Sequence, residues 1–314
     1  MSRRIYIVPD VHGRPFWKDV LTASGNNPVV FLGDYLDAYP RDVIYHDLTK
    51  ESVIAYFKDI IRFKQENPGR VTLLLGNHDC EYLYGREVCD CRTDNDHYDE
   101  IQSLFRTNKD LFLLATECVL RGKRYVFTHA GIHPEWMDRH VDGWTVENMV
   151  PMLNGLNWQA LSAEHPEKTA FAQALAETDP ERGGKADFAS PIWADAERIH
   201  AGRQPADVVQ VVGHTGIPIG RPVITDNVLY TDCRQVLTLS ERGVLRTLDG
   251  KKSVNWERDP FDPELPDWRD RELFNLDCFE RPYCRSCGSR NIYIRAGMMA
   301  DHWYCTDCGK DQIL

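Results

Sequence analysis

Short apolar runs recur along the chain, and each ends abruptly in polar residues. IYIV (5–8) gives way to PDVHG, VVFL (29–32) to GDYLDAY, VTLLL (71–75) to GNHD, YVF (125–127) to THAGIH and VVQVV (208–212) to GHTGI. Runs this short, closed by glycine or proline, predict buried strands. Between the early ones, ESVIAYFKDIIRFKQE (51–66) carries apolar residues at helical spacing and stops before Asn67-Pro68-Gly69, which predicts an amphipathic helix. Strands alternating with helices predict an α/β domain. Residues 144–190 are rich in Ala, Glu and Leu with no strand-like run, and predict a helical insertion or cap. VLYTDC (228–233), VLTLSE (236–241) and GVLRTL (243–248) predict three more strands, the last two as a hairpin around Arg242-Gly243.

The polar clusters sit where a buried strand should stop. Asn77, His78 and Asp79 follow three leucines and Gly76, and desolvating such groups is costly unless they are paired or coordinate something. Open α/β sheets gather ligands at the carboxyl ends of their strands. Those ends supply Asp10 and His12, Asp34 and Asp37, Asn77 and His78, His129, and His214. Residues two apart, such as Asp10 and His12, share one side of an extended segment. Oxygen and imidazole donors suit Mn, Fe or Zn, and a carboxylate such as Asp34 can bridge two ions about 3.5–4 Å apart.

The bulk numbers narrow the partners. The 314 residues, 42% of them apolar, are enough for a large α/β domain or two domains. A formal charge of −11 argues against a broad nucleic-acid surface, which is normally basic. Four apolar residues before Pro9 are too few for a signal-peptide core, and no apolar run approaches membrane-spanning length. A soluble, cytoplasmic protein without a membrane partner is expected, and its ten cysteines are expected as metal ligands and free thiols rather than disulfides. Cys80, Cys89 and Cys91 fall in the free class.

The C-terminal tail changes composition. After a Pro- and Asp-rich linker (259–278) the chain reads Cys284-x2-Cys287-x17-Cys305-x2-Cys308. That spacing predicts a four-cysteine structural zinc site, with glycine after each pair. So short a segment buries too little to fold alone, so one Zn would supply much of its stability. Five Lys/Arg against four Asp/Glu from Phe279 to Leu314 give no basic footprint. A protein partner, or packing on the catalytic domain, is therefore expected over nucleic acid.

The ordered set DVHG, GDYLD, GNHD, THAG and GHT resembles the calcineurin-like metallophosphoesterases, in particular the phosphoprotein-phosphatase branch; PIWAD (191–195) and YTDC (230–233) are similar to later segments of that branch. The resemblance spans roughly residues 5–240. It implies a four-layer αββα sandwich, so that the chain divides into a catalytic domain (1–258), the linker and a zinc ribbon (279–314). It implies two divalent ions (Mn, Fe or Zn): Asp10, His12 and Asp34 hold one, and Asp34, Asn77, His129 and His214 hold the other. His78 then protonates the leaving group and Asp37 orients it. The expected activity is hydrolysis of phosphomonoesters, with a serine/threonine-phosphatase-like enzyme first. The phosphorylated substrate would be a protein or a nucleotide, with a dinucleoside polyphosphate or a nucleic-acid end as the alternative. A reading of another class is an inactive domain that binds through its ribbon. The branch places arginine after the second aspartate of its GDxxD motif, where this chain has Ala38. Arg41 is the nearby candidate to hold phosphate in its place, and Arg198 and Arg203 are candidates for a second family arginine.

Overall fold

The computed structural model describes residues 4–39, 42, 45, 47–86, 88, 91–216, 222–225 and 227–255, with the strand segments 292–295, 302–305 and 311–313. The apolar runs become the centres of two six-stranded sheets. In spatial order the first holds β11 (Leu245–Thr247), β10 (Leu237–Ser240), β1 (Arg4–Val8), β2 (Val29–Phe31), β3 (Val71–Leu74) and β4 (Phe112–Leu113). The second holds β12 (Val254–Asn255), β8 (Val223–Ile224), β9 (Val228–Tyr230), β7 (Val208–Val212), β6 (Lys123–Thr128) and β5 (Ala115–Leu120). Both are mixed. β1 through β4 run parallel, as do β6, β7 and β9, while β10 and β5 pair antiparallel at their flanks.

Alternation along each strand decides what it buries. Ile5 and Ile7 of β1 join Val30, Leu74, Phe127, Val209, Val211 and Leu237 in one apolar cluster contributed by both sheets. Tyr6 and Val8 point the other way, into a second cluster with Phe31, Leu73 and the helices. Those helices are α1 (Asp19–Ala23), α2 (Lys50–Glu66), α3 (Asn77–Tyr84), α4 (Tyr98–Thr107), α5 (Pro134–His140), α6 (Met149–Leu161) and α7 (Ala170–Leu175), whereas α8 (Ala196–Ala201) sends Ala196 and Ile199 into the first cluster.

The predicted helix 51–66 is α2. It starts at a capping box, in which Thr49 Oγ1 accepts from the Ser52 amide at 3.2 Å and Ser52 Oγ accepts from the Thr49 amide at 3.1 Å. Its buried face, Val53, Ile54, Phe57, Ile60 and Ile61, meets Phe105 of α4 and Phe112 of β4, with the Phe57 and Phe105 rings 4.6 Å apart. Phe57 is wholly buried, and truncating it to alanine costs about 3–5 kcal/mol in sites of this kind. The hairpin of β10 and β11 turns at Gly243, with a φ of 72°. The stretch 144–190 is helical where it has regular structure, with α6 docked on the second sheet through Asn154, whose side chain bonds the backbone of Leu114 and Ala115.

Two local expectations change. GNHD does not leave three polar groups on the tip of a strand, because Asn77 opens α3, so the amide and imidazole project from a helix's first turn. Nor does His12 continue an extended segment. Its φ is 44°, so β1 breaks into a left-handed turn before the imidazole.

In the tail, β13 (Ile292–Arg295), β14 (His302–Cys305) and β15 (Asp311–Ile313) pair as an antiparallel sheet, with Cys305 opposite Ile292. Cys284, Cys287 and Cys308 lie outside the described residues, as do the linker, Arg41 and Cys89. Among the described residues no helix is long and apolar enough to cross a membrane.

Candidate active site

All five strand-end clusters meet on one edge of the molecule, where the sheets come together. Backbone hydrogen bonds tie their loops to one another. The His12 amide donates to Asp34 O at 2.7 Å, Gly13 to Tyr35 O at 2.9 Å, and Gly213 to His129 O at 2.7 Å. Four of the side chains sit on strained backbone: His12, Asp34, Asp37 and His214 have φ values of 44°, 51°, 59° and 64°. Non-glycine residues in that region cost about 1 kcal/mol or more each and cluster at functional sites.

Asp34 is the centre of the group. Its Oδ2 lies 3.5 Å from His12 Nε2 and 3.5 Å from His129 Nε2. His12 Nδ1 is 3.1 Å from Leu36 O and His129 Nδ1 is 2.8 Å from Leu32 O. A carbonyl can only accept, so each Nδ1 carries a proton and each Nε2 faces Asp34. Asn77 Oδ1 joins them 3.0 Å from His129 Nε2, because the amide's other end donates to Cys91 Sγ at 3.3 Å. His214 Nδ1 is 3.1 Å from His129 Nε2, and its Nε2 is buried without a hydrogen-bond partner.

Acceptors facing acceptors repel unless a cation lies between them, and these residues fit one. His12, Asp34 and His78 form one group able to hold an ion, and Asp34, His129 and His214 a second, sharing Asp34. Burial, followed by the neighbouring cationic groups, holds His12 and His214 well below the ordinary imidazole range, so both offer neutral nitrogen. Asp10 is also buried, and its carboxylate accepts from the His214 amide at 3.0 Å. Burial and then the charges of Asp232 and Asp34 push Asp10 up to about 8, so without a cation the carboxylates repel one another.

Packing leaves room for little else. A Cβ on Gly76 would collide with the Asp34 carboxylate and reach 2.8 Å from the His129 ring. Asp79, three residues on, caps α3 and gathers the loops, accepting from the amides of Asp34 at 2.7 Å, Gly76 at 2.8 Å and Tyr35 at 3.1 Å.

His78 and Asp37 form a separate pair on this edge. His78 Nδ1 lies 3.0 Å from Asp37 Oδ2 and 3.0 Å from the Arg92 carbonyl. The Tyr82 hydroxyl donates to Asp37 Oδ1 at 2.6 Å. Burial would lower the imidazole, but the charge of Asp34 and the bond to Asp37 outweigh it and raise His78 to about 9.

Two guanidinium groups come from loops that carry no motif. Arg92 donates from Nη2 to Asp37 O at 2.5 Å and lies 4.1 Å over the Tyr39 ring, which is itself edge-on to His12 at 4.8 Å. Arg182, between α7 and α8, donates to Thr215 Oγ1 at 2.8 Å and pairs with Asp195 at 2.9 Å. Neither stands out in sequence, because a lone arginine in a loop looks like any surface residue. Of the arginines expected from sequence, Arg203 pairs with Glu135 at 3.2 Å and Asp138 at 2.7 Å. Arg198 lies on α8, where its charge bears on buried His133.

Imidazoles gathered around a shared carboxylate, on loops at the carboxyl edge of a two-sheet fold, suit a metal-dependent phosphoesterase. Residues 3–241 match the family model of the calcineurin-like phosphoesterases, and the chain belongs to that family. The family works with a binuclear divalent metal centre. No curated protein is significantly similar to the chain. Among solved structures, a cold-active protein tyrosine phosphatase is 18% identical, with 79% of each chain covered and a TM-score of 0.49. A protein serine/threonine phosphatase from Saccharomyces cerevisiae, described as similar to human phosphatase PP5, is 14% identical over 76% of this chain and 73% of its own, with a TM-score of 0.44. A metallophosphoesterase from Sphaerobacter thermophilus is 13% identical over 85% of this chain and 96% of its own, with a TM-score of 0.36.

Proposed function

We propose that the chain hydrolyses phosphomonoesters, with His78 as the general acid, and that its first substrate class is phosphoserine or phosphothreonine in proteins. The observation that supports this most is the His78–Asp37 contact of 3.0 Å, which leaves Nε2 as the free, proton-bearing end of the ring. In this reading Asp10, His12 and Asp34 hold one divalent ion, and Asp34, Asn77, His129 and His214 the other. Bound there, the ions supply Lewis acidity toward phosphoryl oxygen and lower the pKa of water to near neutrality.

The protein's own residues do the rest. His78 gives its Nε2 proton to the departing oxygen, a contribution of about 10²–10⁴-fold in comparable enzymes. Asp37 and the Arg92 carbonyl fix the ring's orientation through Nδ1. Arg92 has a single N–H engaged among the described residues, and its guanidinium stands beside His12 and His78. It is our candidate for the phosphoryl-binding arginine that Ala38 does not provide, beside Arg41, Arg198 and Arg203.

The test is Mn²⁺-stimulated phosphate release from a phosphothreonine peptide, p-nitrophenyl phosphate, its bis-ester and a dinucleoside polyphosphate, with wild type beside His78→Ala. Metal-dependent release from the peptide that drops at least 100-fold in the variant supports the reading. Preference for the dinucleotide or the bis-ester moves the substrate class. No release from any of them, with two ions bound per chain, overturns it.

We propose further that residues 279–314 form a ribbon holding one zinc through Cys284, Cys287, Cys305 and Cys308. Zinc content of the purified chain, expected to fall by one equivalent in Cys305→Ser, checks this.

A further inference from the structure

The chain carries a charge of −11, yet one wall beside the catalytic edge is cationic. A groove of about 690 Å³ runs between the segment around Ala176 to Ala186 and Trp193, and Arg139, Arg182 and Lys185 all line it. It adjoins the centre at two points. Trp193 lies edge-on to the His214 ring at 5.8 Å, and Arg182 bonds Thr215, the residue after His214.

Arg182 is committed to Asp195 at 2.9 Å, which leaves Arg139 and Lys185 as the groove cations open to a ligand. Glu177 is the groove's carboxylate among the described residues, and it is taken by His140 at 2.8 Å, with Arg139 at 3.9 Å. Lys185 is exposed and engages no group among the described residues. The Trp193 indole N–H is buried and has no hydrogen-bond acceptor among the described residues.

Resting on the protein-phosphatase reading above, we infer that this groove is a substrate subsite for acidic side chains flanking the phosphorylated residue of a protein. Like charges held together in an acidic protein are stabilised by an incoming anion, and such complementarity sets partner choice and encounter rate more than raw affinity. The lining suits a peptide better than a nucleotide. One aromatic ring lines the groove, too few to sandwich a base, whereas Val88, Ala176 and Ala186 leave room for short side chains between the cations.

The test compares the Mn-loaded wild type with the double variant Arg139→Ala/Lys185→Ala. Arg182 is left intact because it braces Thr215. Substrates are p-nitrophenyl phosphate, a phosphothreonine peptide with Asp and Glu flanks, and the same peptide with neutral flanks. The wild type is expected to prefer the acidic peptide, with a preference that shrinks as salt rises. In the variant kcat/KM for that peptide falls about 2- to 30-fold, through KM, as two ion pairs of ordinary strength would give. Turnover of p-nitrophenyl phosphate stays within twofold of wild type. Equal wild-type turnover of the two peptides overturns the inference, as does a parallel loss on all three substrates. A dinucleoside polyphosphate whose turnover needs Arg139 and Lys185, with no preference between peptides, overturns the peptide assignment.

If the wild type turns over nothing, the catalytic reading has failed rather than the groove. Fluorescence anisotropy of a labelled, unphosphorylated Glu-rich peptide then decides. Salt-sensitive binding weakened in the variant sustains the groove, and equal binding by both proteins ends it.

Discussion

His78 Nδ1 sits 3.0 Å from Asp37 Oδ2 while the Tyr82 hydroxyl holds the other carboxylate oxygen at 2.6 Å. A carboxylate gripped from both sides cannot swing away, and against the lowering effect of burial the charge of Asp34, followed by the bond to Asp37, raises the imidazole to about 9. In the proposed mechanism the acid form is the working one, so kcat/KM should fall as pH rises through the folded-state value. Bound cations push in the same downward direction as Arg92, which puts the alkaline limb at or below pH 9. In Asp37→Asn the limb should move at least one unit further down. A pH profile of kcat/KM for both proteins checks this, and an unmoved limb assigns the titration to another group.

Asp34 is equidistant, at 3.5 Å, from His12 and His129. Its neutral amide analogue would weaken both cation positions together. Asp34→Asn is expected to bind fewer than one ion per chain where the wild type binds two, with activity down by at least 10²-fold, in line with losses at metal-site supporting residues. Elemental analysis after dialysis gives the count. An unchanged content of two would remove the shared role.

Gly76 is needed for space, since its Cβ would meet Asp34 and His129. Gly76→Ala should lose metal-dependent turnover more completely than it loses stability. Comparing Tm with turnover separates the two effects.

His133 gives a stability signature. Its ring is 1% exposed, both nitrogens lack hydrogen-bond partners among the described residues, and burial first of all lowers it to about 4. The unfolded chain takes up the proton near pH 6.5, and the folded chain only near pH 4. Stability attributable to this group is therefore present above 6.5 and is lost as pH falls through that window, about 2 kcal/mol by pH 5. His133→Phe should show a smaller drop in Tm between pH 7 and pH 5 than wild type. An equal drop would place the acid sensitivity elsewhere.

Much of this was legible in the chain, for reasons of burial. β1, β2, β3, β6 and β7 are largely covered on both faces, so their runs are mostly apolar and their ends are sharp. β5 escaped because it is an edge strand whose alternation leaves Val119 64% exposed beside half-buried neighbours. α3 escaped because eight residues, seven of them buried, give no amphipathic stripe. The ordered clusters marked the site, but Arg92 and Arg182 reach it through tertiary contacts that leave no local trace. Tyr82 reads as core until its hydroxyl is seen on Asp37.

Residues 91–94 touch the catalytic edge at every level. The Cys91 thiol holds Asn77, the Arg92 carbonyl holds His78, its guanidinium holds Asp37, and the Asp94 amide bonds Asp37 Oδ1 at 3.2 Å. One stretch of main chain between α3 and α4 thus acts as the fuse of the enzyme. A single proteolytic nick after Arg92 is expected to slacken His78, Asp37 and Asn77 together, while the sheets, which take no strand from this stretch, stay folded. Limited trypsin digestion followed by turnover and circular dichroism should show activity vanishing long before secondary structure does.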